Sequence, residues 1–442
     1  MKKFQSVVLA AAVTVALGAC DSSQTDGSPR PKDGKPSATG ETASLTPRAE
    51  QAQVPPAFDG SKGWAVMQGE RLTQPTVAPH AQLVLFRKTY EDGAAFGVEA
   101  RDARTGAVRW SSAPWKPSER TAEFQADDVK LFVTSKDGKD HAVLVAAVQE
   151  GKDAISRGSA IARASVFPAD SSGKNVAPAR QVSIPGVGSS ARPHDANGTL
   201  AFGNDKEVTV VDMTTGVLAS PQDSRSRDYL LRITGSVNGT FHMADAWPGQ
   251  AIVPAGAQES SGIENGTAHG VRGGYVVAQW PSKDEAYSAL GLPMNHVWAL
   301  HDESRGNPVY ALPCNGVNEA AVGSENRAVL SDNGRYLVTA YTAFDLQAKK
   351  GYCFGGTQDT ARVDFMGVDN AGTAYGKART PSGTGIPVSV DIATGTHAEL
   401  SGVTLPTRVS GDVALYESAP QNENAPAADL AHHAVLSVYP KR

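Results

Sequence analysis

The sequence predicts an all-β fold, and three features of residues 58–442 support this prediction. The 3.6-residue apolar period of amphipathic helices is nearly absent from this stretch. Short runs of apolar, β-branched and aromatic residues alternate with Gly, Asn and Asp turns, as antiparallel strands do. Turns of the form Asp-x-x-x-Gly recur along the chain, with strand-like runs on both sides. We therefore expect a repeated β unit.

The Asp-x-x-x-Gly turns indicate the length of this unit. They run from Asp102 to Gly106, Asp212 to Gly216, Asp302 to Gly306 and Asp391 to Gly395, with weaker marks at Asp170 and Asp345. The four turns lie 110, 90 and 89 residues apart, and the last two separations are close to twice 45. A period of about 45 residues is typical of the blades of a β-propeller. At each turn the Asp side chain can accept backbone hydrogen bonds, and Gly supplies a positive φ.

A second set of turns marks the first hairpin of each unit. The candidates are His80-Ala81, Asp128, Asn197-Gly198, Asn238-Gly239, Gly273-Gly274, Asn333-Gly334, Asn370-Ala371-Gly372 and Gly411-Asp412. Eight such turns predict a propeller of about eight blades, and seven is the alternative because the unit around 239–260 is poorly marked. The lone strand Gly63–Met67 would pair with the strand His433–Tyr439 and remove an exposed sheet edge.

One of these turns extends into a longer motif. Ala100-x-Asp102-x-x-Thr105-Gly106-x-x-x-Trp110 resembles the docking motif of PQQ-like (WD-repeat-like) β-propellers. The resemblance implies that Trp110 packs between neighbouring blades. The other three turns lack the Trp, and the one at Asp302 also lacks the Thr. At the architectural level the resemblance covers residues 58–442, and it implies a fold rather than a function.

The first twenty residues resemble a bacterial lipoprotein signal peptide. Lys2 and Lys3 precede an uncharged stretch, Phe4–Leu17, which is too short to be a stable transmembrane helix. Leu17-Gly18-Ala19-Cys20 resembles the lipobox, which implies cleavage before Cys20 and a diacylglyceryl group on its thiol. Two acyl chains suffice for stable membrane anchoring. A plain secretory signal with an incidental Cys is the alternative.

Residues 21–57 have the composition of a disordered tether. They are rich in Ser, Thr, Pro, Gly, Lys and Asp, and few large apolar side chains interrupt them. Such a segment cannot bury enough apolar surface to offset the entropy of ordering. A flexible coil of this length spans about 30–35 Å. We therefore expect a tether that holds a propeller domain, residues 58–442, away from the membrane.

Cysteine usage and charge limit the classes of function. The chain has three Cys, and Cys314 and Cys353 are the two that remain if Cys20 is lipidated. In an exported protein such a pair predicts a disulfide, with two separate buried thiols as the alternative. The net charge is -5, which argues against nucleic acid as a partner. None of the ten His falls in a spacing typical of metal ligands.

No linear catalytic motif appears, so the sequence favours a binding or scaffold module without a catalytic role. We expect a monomer on the extracytoplasmic side of the cell membrane that contacts an envelope protein or a small ligand through one propeller face. The alternative is an enzyme, either a hydrolase or a degenerate quinoprotein-type oxidoreductase, whose site is assembled from several blades. PQQ-dependent dehydrogenases carry a disulfide of adjacent Cys beside the cofactor, and this chain has no adjacent Cys. We therefore expect no cofactor and no metal.

Overall fold

The structure, a computed structural model, describes most of the chain from residue 49 onward. The described residues are 49, 51–68, 72–90, 93, 95–117, 129–152, 157–185, 194–196, 199–203, 208–219, 252–257, 266–272, 274–284, 295–302, 305–315, 328–356, 360–379, 385–418 and 435–442. Thr46–Arg442 forms one compact unit. Throughout the described segments the regular secondary structure is β-strand. No helix there could span a bilayer.

The strands are short, as expected for sequences broken by frequent turns. In chain order they are β1 (Trp64–Met67), β2 (Leu72–Ala78), β3 (Leu83–Thr89), β4 (Phe96–Asp102), β5 (Val108–Ser112), β6 (Val129–Lys136), β7 (Lys139–Lys152), β8 (Arg157–Pro168), β9 (Gly173–Val176), β10 (Arg180–Pro185), β11 (His194–Ala196), β12 (Thr199–Gly203), β13 (Val208–Asp212), β14 (Leu218–Ala219), β15 (Thr267–Arg272), β16 (Tyr275–Pro281), β17 (Asn295–Asp302), β18 (Pro308–Asn315), β19 (Val329–Leu330), β20 (Tyr336–Thr339), β21 (Thr342–Asp345), β22 (Lys350–Cys353), β23 (Arg362–Val368), β24 (Thr373–Arg379), β25 (Gly385–Asp391), β26 (Thr396–Glu399), β27 (Arg408–Ser410), β28 (Val413–Ser418) and β29 (Val435–Pro440).

These strands form seven sheets, which we number along the chain. The strand orders are β2-β3-β4-β5-β9 in sheet 1, β6-β7-β8-β10 in sheet 2, β11-β12-β13-β14 in sheet 3, β15-β16-β17-β18 in sheet 4, β19-β20-β21-β22 in sheet 5, β23-β24-β25-β26 in sheet 6 and β27-β28-β29-β1 in sheet 7. Neighbouring strands are antiparallel except for β5 and β9. This array of sheets, each built on four antiparallel strands with β9 added to sheet 1, is a β-propeller, as the sequence predicts.

Seven sheets correspond to the alternative blade count. The predicted eighth unit, with its turn at Asn238-Gly239, falls within residues 220–251, which lie outside the described residues. Sheets 3 and 4 flank that stretch, and their Asp212 and Asp302 turns are 90 residues apart, about two repeat lengths. The prediction of an eighth blade therefore remains a prediction, and it concerns residues 220–251.

Apolar clusters join consecutive sheets, since each sheet buries side chains on both faces. Shared clusters connect sheets 1 and 2, 2 and 3, 4 and 5, 5 and 6, 6 and 7, and 7 and 1. Among the described residues no such cluster spans sheets 3 and 4, the two that border residues 220–251. The apolar core is thus a series of layers between sheets.

The two ends of the compact unit meet in sheet 7, as the sequence predicts. β1 pairs antiparallel with β29, with Val66 opposite Leu436. Phe58 forms a further bridge with Lys441, and the Arg442 backbone N–H donates to the Ala57 carbonyl. The N-terminal strand thereby becomes the last strand of a sheet whose other strands come from the C-terminus.

The packed part of the chain begins before the predicted boundary at residue 58. Ala49 is buried, and its backbone N–H donates to the Gly63 carbonyl at 3.1 Å. Ala52, Val54 and Ala57 pack against a cluster that contains Phe58. The predicted tether of residues 21–57 is therefore too long at its C-terminal end, because the few apolar side chains of residues 49–57 are used in packing.

Two of the weaker turn marks were misassigned. Asp128 precedes β6, the first strand of sheet 2, so the turn of this first hairpin is Asp137-Gly138 instead, where both residues have positive φ. The strand after the Asp170 turn, β9, adds to sheet 1 in parallel with β5 rather than becoming the fourth strand of sheet 2. That position belongs to β10. The connection through β9 therefore links the first two sheets.

Candidate functional site

The predicted Asp-x-x-x-Gly turns have the expected geometry. Asp102 Oδ1 accepts hydrogen bonds from the backbone N–H groups of Arg104 and Thr105 and from the Thr105 hydroxyl. The same carboxylate-to-backbone bonding occurs at Asp212, Asp302, Asp345 and Asp391. The closing residues have positive φ, at Gly106, Gly216, Gly306, Lys349 and Gly395. These turns connect the third and fourth strands of their sheets and are structural.

Trp110 lies where the docking motif implies. It is 1% exposed between sheets 1 and 2, its ring centroid is 6.2 Å from that of Phe167, and its Nε1–H donates to the Ala169 carbonyl at 2.8 Å. Two further aromatic residues repeat this contact. Trp64 Nε1–H of sheet 7 donates to the Ala103 carbonyl of sheet 1, and the Tyr352 hydroxyl of sheet 5 donates to the Ala393 carbonyl of sheet 6.

Sequence reasoning missed Trp64 and Tyr352 as docking residues. Trp64 lies in the strand that joins sheet 7 from the other end of the unit. The Asp-x-x-x-Gly run before it, Asp59 to Gly63, places Trp64 five residues after the Asp, whereas Trp110 follows its turn Asp by eight. Tyr352 follows the Asp345 turn by seven residues. An aromatic residue seven or eight positions after each turn Asp is the signal that could have identified Tyr352.

The disulfide that the sequence predicts is confirmed. Cys314, on the last strand of sheet 4, forms a disulfide with Cys353, on the last strand of sheet 5, with a Cα–Cα distance of 5.4 Å. Cys314 is buried in the cluster between these sheets, whereas Cys353 is exposed. The bridge covalently fastens two neighbouring blades. Cys20, the predicted lipidation site, lies outside the described residues.

The turns that follow the first strands of sheets 1, 5, 6 and 7 line a cavity of about 190 Å³, which we call the turn cavity. His80, Asp332 and Ser410 contribute polar groups to its wall. Behind His80 lies the buried carboxylate of Asp140, which accepts from His80 Nδ1 at 2.8 Å, from the His80 and Ala81 backbone N–H groups, and from Ser135. Asp140 thus fixes a sheet 1 turn onto sheet 2.

Asp332 performs a similar role on the other side of the turn cavity. It accepts hydrogen bonds from the Ser410 hydroxyl at 3.2 Å and from the Gly411 backbone N–H. Burial raises the pKa of Asp332, while the bonds from Gly411 and Ser410 act in the opposite direction. Because the Ser410 hydroxyl donates to Asp332, it is not paired with the His80 imidazole as a nucleophile would be with its general base. The arrangement connects sheets 5 and 7.

A larger opening, which we call the side cavity, lies between sheets 5 and 6. Its volume is about 640 Å³. Its wall comprises Pro313, Cys353, Phe354, Gly355, Gly356, Thr360, Ala361, Val363, Ala378, Val388 and His397. Small-molecule sites in proteins are commonly of this size and mainly apolar, with a few polar groups. On size and lining, the side cavity is the better candidate binding site of the two.

Histidine does not form a metal centre in the described segments, where no group of three or more His, Cys, Asp or Glu side chains could hold a metal ion. The buried His301 has a structural partner on each ring nitrogen. Nε2 accepts from Trp280 Nε1–H at 3.1 Å, and Nδ1 lies 2.9 Å from the Gly306 carbonyl. Burial lowers the pKa of His301 to about 4, opposed by the bond to Gly306. The imidazole is neutral and supports the Asp302 turn.

No protein-family model matches this chain, and no curated protein matches it. Solved structures are similar to it in fold alone. An uncharacterized protein from Listeria monocytogenes is 8% identical with a TM-score of 0.35, over 79% of this chain and 92% of that one. The β-propeller domain of the Trilobed protease from Pyrococcus furiosus is 12% identical with a TM-score of 0.30, over 75% of this chain and 97% of that one.

Porphyromonas gingivalis dipeptidyl peptidase 4 is a third similar structure. It is 11% identical with a TM-score of 0.37, over 76% of this chain. The match covers 54% of that peptidase, so this chain spans about half its length. At these identities the likeness concerns the propeller fold and carries no activity to this chain.

Proposed function

We propose that this chain is a lipid-anchored binding module, with its propeller held on the extracytoplasmic side of the cell membrane. The observation that carries the proposal is the disulfide between Cys314 and Cys353. Disulfides persist in oxidising compartments outside the cytoplasm. Export agrees with the lipobox at Leu17–Cys20, whose Cys would carry the diacylglyceryl group.

Binding, rather than a reaction, is supported by how the polar side chains of the propeller are used. The carboxylates of Asp140 and Asp332 hold turns of different sheets together. Lys136 of sheet 2 likewise forms an ion pair with Asp212 of sheet 3 at 2.8 Å. Groups that connect blades in this way give a rigid scaffold, and rigid scaffolds present binding surfaces with little reorganisation on association.

The anchor is tested by labelling cells that express the chain with radioactive palmitate. We expect label on the wild-type chain, no label on Cys20→Ala, and release of that variant from the membrane fraction. The matched control is the double variant Cys314→Ala/Cys353→Ala, which keeps Cys20 and therefore keeps the label. Label that persists on Cys20→Ala would refute the anchor.

The binding role is tested against the hydrolase alternative. We expect the purified chain not to turn over peptide or ester substrates above the level of a denatured sample. Turnover that is abolished by His80→Ala, with an unchanged circular dichroism spectrum, would contradict the binding role. It would place an active site at the turn cavity.

A further inference from the structure

The side cavity has the form of a ligand site built from three sheets. Pro313 comes from sheet 4, Cys353 and Phe354 come from the end of sheet 5, and Val363 and Val388 come from one face of sheet 6. The disulfide between Cys314 and Cys353 joins the first two of these walls. A cavity with covalently connected walls keeps its shape when it is empty, which lowers the free-energy cost of binding.

Phe354 is the fixed aromatic wall of the side cavity. Its backbone N–H donates to the Tyr341 carbonyl at 2.8 Å, and its own carbonyl accepts from the Val363 N–H at 2.9 Å. Its ring lies edge-on to Phe365, with the ring centroids 5.4 Å apart. The ring is only partly buried. Main-chain bonds to both neighbouring sheets thus position an aromatic surface that still faces the cavity.

The lining also determines the charge of a suitable ligand. None of the described residues that form its wall is Asp, Glu, Lys or Arg. A charged ligand would lose hydration there without gaining a counter-charge from these wall residues. His397 lies on the exposed edge strand of sheet 6 and contributes an imidazole ring to the wall. Both nitrogens of an imidazole can form hydrogen bonds. The chemistry fits an uncharged, largely apolar molecule with one polar group.

We propose that the side cavity binds an uncharged, mainly apolar small molecule, whose apolar part packs on Phe354 and Val388 and whose polar group faces His397. This inference rests on the proposed function, since it names a ligand class for the binding module. It assigns no role to the turn cavity.

The test is photo-crosslinking with benzophenone, an uncharged aromatic ketone whose carbonyl can accept a hydrogen bond. The full chain carrying Cys20→Ser is used without detergent, so that the probe does not partition into micelles. We expect saturable labelling that mass spectrometry maps to the wall of the side cavity. We expect the anionic analogue 4-benzoylbenzoate to label the same peptides at least about tenfold less at equal concentration, because its charge is not compensated there.

A matched pair of variants locates the site. Ala361→Trp places a large side chain at the exposed rim of the cavity, whereas Ala398→Trp adds the same side chain at an exposed position of sheet 6 outside the wall. We expect at least about a tenfold loss of labelling in the first variant and wild-type labelling in the second, because only the first fills the space that the ligand needs. Both substitutions are at exposed positions, and circular dichroism checks that both variants fold.

Equal labelling of the two variants, or labelling that maps elsewhere, would overturn the inference. Equal labelling by the anionic analogue would overturn its assignment of ligand charge. These failures are separable from failure of the proposed function. If palmitate labelling depends on Cys20 but the cavity is not labelled, the anchor stands and the ligand site falls. If the cavity is labelled but Cys20→Ala keeps palmitate, the ligand site stands and the anchor falls.

Discussion

The boundary between sheets 1 and 2 and the boundary between sheets 4 and 5 are held together in different ways. At the first, Trp110 is inserted between the sheets and donates to the Ala169 carbonyl. At the second, Tyr310 occupies the corresponding place. Trp110 pairs with Ala100, and Tyr310 pairs with Leu300. Ala100 and Leu300 each lie two residues before the turn Asp of their sheet. The second boundary adds the Cys314–Cys353 disulfide.

The difference shows how one structural position can be filled by different chemistry. Trp110 buries a large ring and bonds across the boundary by itself. Tyr310 is only partly buried, and its hydroxyl accepts from the Gly351 N–H at 3.1 Å. The smaller, more exposed ring buries less apolar area, so it contributes less to the boundary. The fully buried Trp298 of sheet 4 also packs against Tyr341 of sheet 5 at this boundary, and the disulfide adds to it by constraining the unfolded chain.

The largest expected effect is that of removing the Trp from the first boundary. Trp110→Ala should lower the free energy of unfolding by about 3–5 kcal/mol, because it leaves a cavity where a fully buried ring was. Urea unfolding followed by far-UV circular dichroism measures the loss. Trp110→Phe is the control and should lose about 1–2 kcal/mol, since it keeps most of the packing and loses the bond to Ala169. A loss below about 1 kcal/mol in Trp110→Ala would show that the aromatic wedge is not what joins these sheets.

Removal of the disulfide should have a smaller effect. Its two Cys are 39 residues apart, and the chain-entropy relation gives a stabilisation of about 4 kcal/mol, with measured values commonly 2–4. Unfolding of the chain with and without a reducing agent measures this loss. The double variant Cys314→Ala/Cys353→Ala should unfold identically in both conditions. No effect of reductant on the wild-type chain would mean that Tyr310 and the apolar cluster alone hold sheets 4 and 5 together.

The same comparison explains which features the sequence could predict. Asp102, Gly106 and Trp110 lie within nine residues of one another, and local hydrogen bonding fixes their roles. The sequence pattern alone was therefore sufficient to predict the turn and the docking Trp. Only two cysteines remained for a disulfide once Cys20 was set aside. The terminal pairing of β1 with β29 was predicted from two unpaired strands, because an open edge is unfavourable.

Other features depend on contacts between distant residues that no local pattern records. The bond from Trp64 to Ala103 and those from His80 to Asp140 join different sheets. The side cavity is assembled from residues between Pro313 and His397 on three sheets. The parallel addition of β9 to sheet 1 also lies outside the repeat, because the repeat describes only antiparallel hairpins. The candidate site was therefore invisible to sequence reasoning, although the fold that forms it was not.

The turn glycines extend the comparison to two boundaries without a disulfide: that of sheets 5 and 6, where Tyr352 docks, and that of sheets 2 and 3. Gly395 and Gly216 have φ values of 76° and 74°, so an Ala at either position costs about 1–2 kcal/mol in backbone strain. A Cβ on Gly395 would overlap the Tyr352 ring, whereas a Cβ on Gly216 would lie 2.9 Å from Cδ of the flexible Arg180 side chain. We expect Gly395→Ala to lose about 1 kcal/mol more than Gly216→Ala in urea unfolding, because overpacking against a held ring is costly. Equal losses would mean that the Tyr352 ring moves as easily as Arg180.

The smallest expected effect concerns sheets 2 and 3, which are joined by the Lys136–Asp212 ion pair. Partial burial acts to raise the pKa of Asp212, but hydrogen bonds from Lys136, Thr214 and the turn backbone outweigh it and hold the pKa well below its usual value of 3.8. A carboxyl group whose pKa is lowered by folding stabilises the folded state at pH values above its usual pKa. This contribution is lost as the pH falls through the pKa that the group has in the folded state. Because both side chains are partly exposed, at 35% and 24%, solvent screens the pair.

Lys136→Met should therefore lower the free energy of unfolding by only about 0.5–1 kcal/mol near pH 7. The difference from the wild-type chain should shrink at high salt, and also as the pH falls below about 4, where Asp212 begins to be protonated in the unfolded chain. Urea unfolding at several pH values and salt concentrations measures it, with Lys139→Met at an exposed position of β7 as the control. A loss as large as that of Trp110→Ala would mean that charge, and not aromatic packing, is the main connection between neighbouring blades.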